Sequence, residues 1–170
     1  MPPLRPDSLQ ADILHHPAFE SMGTFLGVPR GTIDDLGDAK AVILGAPIDW
    51  GTTHRPGARF GPKAIRETDY LEMSGYRPNL FTGIDPLGVL RVVDLGDTPP
   101  ASSPQVQIDH LRALMRRIGE QGVVPVVLGG DHSITWPNAG GIADAYGHDE
   151  VALIHFDAHA DTGSHSTGPL

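Results

Sequence analysis

The sequence has no cysteine, which excludes disulfide staples and thiolate metal ligation. That absence agrees with a reducing compartment. No stretch approaches the roughly 18 uninterrupted apolar residues that a membrane span requires. Met1–Glu20 mixes Pro, Asp and His without an apolar h-region, so it reads as neither a secretory signal nor an Arg-rich transit peptide. A cytoplasmic location is the resulting expectation. Basic residues are also few. Lys and Arg number 12 against 21 Asp and Glu, a net charge of −9, and no basic cluster stands out. A phosphate-backbone binder needs a basic stripe, so neither nucleic acid nor a membrane is an expected partner.

What is present is the composition of a globular protein. Apolar residues make up 39% and charged residues 19% of 170, enough for one domain with a real core. Residues 1–38 are punctuated by Pro, Gly and Asp and predict an N-terminal arm with a short helix or two. Ala41-Val42-Ile43-Leu44-Gly45-Ala46 is a continuous apolar strand ending at Pro47. A Gly-rich loop, Asp49 to Gly61, leads to Pro62 at the start of a helix that runs to about Met73. Val89 to Leu95 predicts a second strand. Ser103-Pro104 then marks a helix start, with Ser at the N-cap and Pro at the first helical position. Ile108, Leu111, Met115 and Ile118 follow at helical spacing. Val123 to Leu128 predicts a third strand, Ser133 to Tyr146 a short helix capped by Ser133, and Val151 to Phe156 a fourth strand.

Strands that are apolar throughout and alternate with helices predict an α/β fold, a three-layer αβα arrangement with a mostly parallel sheet. One domain portion, residues 39–161, follows the arm. The polar composition of 162–170 predicts a disordered tail. In such sheets chemistry gathers at the carboxyl ends of the strands.

The distinctive residues sit at those ends. His155-Phe156-Asp157-Ala158-His159-Ala160-Asp161 closes the fourth strand. Alternate side chains of an extended segment point the same way, so Asp157, His159 and Asp161 can converge. Carboxylates can bridge two cations and imidazoles can complete their shells. Mixed His and carboxylate donors without sulfur suit a hard or borderline ion such as Mn²⁺. A polar strand end with solvated acids is the competing reading. Gly129-Gly130-Asp131-His132-Ser133 follows the third strand and puts His132 at a neighbouring strand end. Asp131 is a candidate to orient His132 or a nearby ligand from behind, against the plainer reading of a capped strand–turn–helix junction.

GGDHS followed by DAHAD resembles the paired metal motif of the arginase/agmatinase/ureohydrolase family. The resemblance implies an arginase-like ureohydrolase fold and two Mn²⁺ ions held by His132, Asp157, His159 and Asp161. By that carry-over His132 serves one ion and His159 the other. Asp157 bridges them, and Asp161 adds a carboxylate on the His132 side and is the candidate catalytic proton acceptor. His155 shares the strand face, but the family motif does not use that position, and it is read as structural.

The loop from Gly45 to Pro62, followed by Ala64-Ile65-Arg66, resembles the agmatinase branch, in which a GTT-x-RPG-x-R-x-GP run precedes an AIR helix. Asp49, His54, Arg55 and Arg59 are its candidate substrate-loop residues. An ordinary tight loop stabilised by Arg55 or Arg59 is the other reading. The resemblance runs from about Lys40 to Asp161. It implies hydrolysis of a guanidino C–N bond to urea and an amine, with agmatine giving putrescine. Guanidinobutyrate, guanidinopropionate and free guanidine are close alternatives. It also implies a homo-oligomer, a trimer or hexamer. The departure is that the family's later Asp-x-Asp ligand pair does not occur in these 170 residues. The expectation is therefore a truncated fold with an incomplete metal site. A non-catalytic metal-binding or assembly remnant is the rival from another class.

Overall fold

β1, Ala41–Ala46, is buried along nearly its whole length. A strand with apolar side chains on both faces needs neighbours at both edges and cover on both sides. The neighbours are β2, Val92–Asp97, and β3, Val124–Gly129. Both run parallel to β1, in the order β2-β1-β3. The computed structural model describes residues 23–68, 78–99, 101 and 103–161.

The cover follows from strand alternation. Val42, Leu44 and Ala46 face one way and form a core with Val93, Leu111, Met115 and Ile118. The last three come from α3, Pro104–Glu120, whose apolar stripe the sequence spacing predicts. Its start is as expected: Pro104 opens the helix and the Ser103 hydroxyl accepts the Val106 N–H at 3.3 Å. Each fully buried Leu or Ile of this face contributes about 1.5–3 kcal/mol. α4, Thr135–Tyr146, lies against α3 so closely that a Cβ on Gly141 would stand 2.4 Å from the Arg112 carbonyl oxygen. Any larger residue there would force the two helices apart.

Ile43, Val92 and Val28 form a smaller core on the opposite face. Asp94 shares that face and is fully buried. It is held by Arg66 of α1, Gly61–Glu67, through Nε to Oδ2 at 2.8 Å and Nη2 to Oδ1 at 2.9 Å. Arg66 also donates to Asp97 Oδ1 at 2.5 Å and to the Gly96 carbonyl at 3.1 Å. Asp94 accepts in addition from the N–H groups of Phe25 and Gly96. Burial acts to raise the Asp94 pKa, but these donors outweigh it and hold the carboxyl below its ordinary value. Helical segments thus lie on both faces of a parallel sheet, the three-layer αβα arrangement the sequence predicts. Residues 29–31 run along the outer edge of β2, where the Asp94 N–H donates to Pro29 O at 2.8 Å and the Gly31 N–H to Asp94 O at 3.0 Å.

Three expectations are corrected. β2 begins at Val92, because Asp85 and Pro86 start a helical turn, α2, over Pro86–Val89. The Asp85 carboxylate caps it by accepting the Leu87 N–H at 3.0 Å. The helix after β3 is entered through a 3-10 turn, His132–Ile134, capped by Asp131 and not by Ser133. The predicted fourth strand does not form. Residues 151–156 make no ladder with β3, and Leu153, Ile154 and Phe156 are exposed. A continuous apolar run is suited to a parallel-sheet strand with both faces covered, and here Leu153, Ile154 and Phe156 lack that cover. The first 22 residues of the expected arm, the expected tail and the helix beyond Thr68 lie outside the described residues.

Candidate metal centre

His132 stands at the carboxyl end of β3, on the 3-10 turn His132–Ile134. Its position is fixed by the backbone before it. The Asp131 N–H donates to Ile48 O at 2.8 Å, which joins this turn to the exit of β1. Gly130 is held at φ +99°, where a Cβ would lie 2.4 Å from Ala46 O and 2.8 Å from Ile48 O. Only glycine lets the chain pass that close to β1.

Asp157 and Asp161 meet His132 from the segment that follows. His132 Nδ1 lies 3.3 Å from Asp157 Oδ2, and His132 Nε2 lies 3.5 Å from Asp161 Oδ2. His155 joins them, its Nε2 3.6 Å from Asp157 Oδ2 and its ring centroid 4.9 Å from that of His132. One donor atom from each of His132, His155, Asp157 and Asp161 lies within 4.8 Å of the others. The Asp157 carboxyl is held below its ordinary value, first by the hydrogen bond from the His159 N–H. Partial burial opposes this, while the charges of His132 and His155 add to it.

Of the four residues implied as metal ligands, the structure gathers three. His159 is on the rim, its side chain 83% exposed and its Nδ1 3.8 Å from Asp157 Oδ1. The alternation argument fails here because 157–159 bends instead of running extended. The Asp157 carboxylate accepts the His159 N–H at 3.0 Å and turns the chain. His155 was legible only as a residue on the shared strand face; its proximity to His132 has no sequence signal.

Among the other candidates, Asp131, Asp49 and Arg59 hold structure. Asp131 does not orient the His132 ring. Its Oδ2 accepts the Gly51 N–H at 2.7 Å, and its Oδ1 accepts the Ser133 N–H at 2.9 Å and the Ser133 hydroxyl. Asp49 is buried and turned into its own loop, paired with the Arg59 guanidinium. It accepts Arg59 Nε at 2.6 Å and the Gly57 N–H at 2.8 Å. Those bonds, the Arg59 one first, lower its pKa to about 2 against the opposing effect of burial. Arg59 also lies over the Trp50 ring, 5.5 Å from its centroid. For Asp49 and Arg59 the tight-loop reading therefore holds. His54 and Arg55 are exposed.

Two imidazoles and two carboxylates in one cluster, with no sulfur, fit a borderline or hard dication such as Mn²⁺ or Zn²⁺. The Arginase family profile matches residues 39–169. A mitochondrial agmatinase from Gallus gallus is 41% identical over 135 residues, which cover 75% of this chain and 36% of that protein. Among solved structures, a hypothetical agmatinase from Burkholderia thailandensis superposes with a TM-score of 0.72 at 35% identity. The match covers 85% of this chain and 45% of that one. A Trypanosoma cruzi formiminoglutamase solved with Mn²⁺ superposes with a TM-score of 0.59 at 27% identity, covering 74% and 41%. The chain therefore spans less than half the length of each of these relatives. On this evidence the chain belongs to the arginase family and has its fold.

Proposed function

We propose that this chain serves the hydrolysis of a guanidino C–N bond to urea and an amine, with agmatine as substrate and putrescine as the amine. The observation that carries this reading is the meeting of His132, Asp157 and Asp161 from two segments separate in sequence. His132, Asp157 and Asp161 would hold one Mn²⁺ ion, and Asp157 with His159 would face a second. Bound in pairs, such ions supply Lewis acidity and lower the pKa of a water nucleophile. The chain's own residues do the rest. Asp161, partly exposed and 3.5 Å from His132 Nε2, would accept the proton released as water adds to the guanidino carbon. The Asp49–Arg59 pair keeps the loop after β1 folded at the same end of the sheet. That loop carries the agmatinase-type GTT-His-RPG run, which supports agmatine over arginine. The Gallus gallus relative, itself an agmatinase, supports the same choice. A cytoplasmic homo-oligomer, trimeric or hexameric, is the form proposed.

The second reading is a non-catalytic metal-binding or assembly module, and it is favoured if the longest natural form also lacks an Asp-x-Asp pair. The experiment that separates the two is a urea assay. Protein carrying this chain, supplied with Mn²⁺, is tested against agmatine, guanidinobutyrate and arginine. Preferential release from agmatine supports the proposal. Preference for arginine refutes the loop assignment, and Mn²⁺ binding without turnover in the longest natural form supports the module.

A further inference from the structure

The Asp131 carboxylate stands between two parts of the molecule that are distant in sequence. Its Oδ1 caps the turn that carries His132, accepting from Ser133. Its Oδ2 accepts the N–H of Gly51, 80 residues away, at 2.7 Å. Gly51 lies at the near end of the exposed part of the loop after β1, next to Trp50, and the loop's far end is tied at Gly57 and Arg59 by Asp49. The loop is therefore held at two points. The Asp49 tether is internal to it. The Asp131 tether joins it to the residue directly before His132.

We propose that Asp131 is a positioning residue that couples order in the 51–60 loop to cation binding at His132. This rests on the metal-centre reading above and adds a linkage between the two sites. A cation that fixes the His132 turn fixes the Asp131 carboxylate, and a fixed carboxylate holds Gly51. Linkage of this kind is reciprocal, so an ordered loop also favours the bound cation. An asparagine separates the two tasks of the side chain. It caps a helix about as well as aspartate, yet it has one accepting oxygen. It can hold Ser133 or Gly51, not both.

The test uses the full chain, Mn²⁺ alone as the probe, and cleavage by trypsin at Arg59–Phe60 followed by mass spectrometry. Arg59 lies in the 3-10 turn Ala58–Phe60, so cleavage requires the loop to open. In the parent, Mn²⁺ is expected to slow this cleavage roughly five- to tenfold, the low end of ordinary coupling factors. In Asp131→Asn the fold and the far-UV circular dichroism spectrum are expected to persist. Cleavage is expected to be fast with or without Mn²⁺, and Mn²⁺ affinity to fall by the same factor. Parent-like Mn²⁺ protection in Asp131→Asn overturns the coupling and leaves the metal centre standing. Failure of the parent to bind Mn²⁺ overturns the coupling and the metal centre together. Tight Mn²⁺ binding that leaves parent cleavage unchanged also overturns the coupling.

Discussion

Asp157 faces two ways: its Oδ1 accepts the His159 N–H at 3.0 Å, while its Oδ2 lies 3.3 Å from His132 Nδ1. His155 also approaches its Oδ2, at 3.6 Å, while Asp161 joins the cluster through His132.

Asp157→Ala is accordingly expected to weaken Mn²⁺ binding by more than the roughly 10–100-fold that losing an outer partner of a ligand costs. Isothermal titration of the variant against the parent measures this. Near-parent affinity would show that the carboxylate is not a ligand.

Arg66 and Asp94 form a buried pair, 7% and 0% exposed. Removing one member leaves the other's charge unpaired in the interior. Arg66→Ala is expected to destabilise the fold by about 3–5 kcal/mol. Urea denaturation checks this, and a loss below about 1 kcal/mol, the range of an exposed pair, would contradict the buried-pair account.

Asp49 titrates at about 2 in the folded chain against an ordinary 3.8. Its folded pKa is depressed, so the unfolded state holds more protons between these values. The contribution of Asp49 is then fully present above 3.8 and lost as pH falls toward 2. The depressed Asp94 acts in the same direction. Thermal melts from pH 5 downward are expected to show the parent losing stability through this window, and Asp49→Asn losing less across it. Parallel pH profiles for the two proteins would count against the assignment.

Residues 1–170 alone are expected to release little urea from agmatine, even with excess Mn²⁺. The family resemblance implies six ligand residues, and the pair supplied by Asp-x-Asp is absent from this sequence. Two close dications need that negative charge against their mutual repulsion. Turnover by these residues comparable with that of the longest natural form would overturn the ligand count.

What was legible in the sequence depended on locality. β1 is a continuous apolar run, and Ser103-Pro104 is a cap written in adjacent residues; both form as read. His132 follows β3 to its carboxyl end, and Asp157 meets it there from residues 151–156, which pair with no strand among the described residues. The segment 151–156 has the composition of a strand, but strand formation is decided by what lies across its edge and over its faces. Its open faces leave Phe156 in solvent. Asp131 and Asp49 are acids at loop positions that read equally as site residues or as ties. Their choice of Gly51 and Arg59 is a matter of three-dimensional proximity, invisible to spacing.

The central claim is that His132, Asp157 and Asp161 form one cation site. Anomalous diffraction at the Mn edge, on crystals of the protein grown with Mn²⁺, tests it most directly. The account predicts an anomalous peak in contact with His132, Asp157 and Asp161. Mn²⁺ bound elsewhere, with these three side chains free of it, would contradict the account.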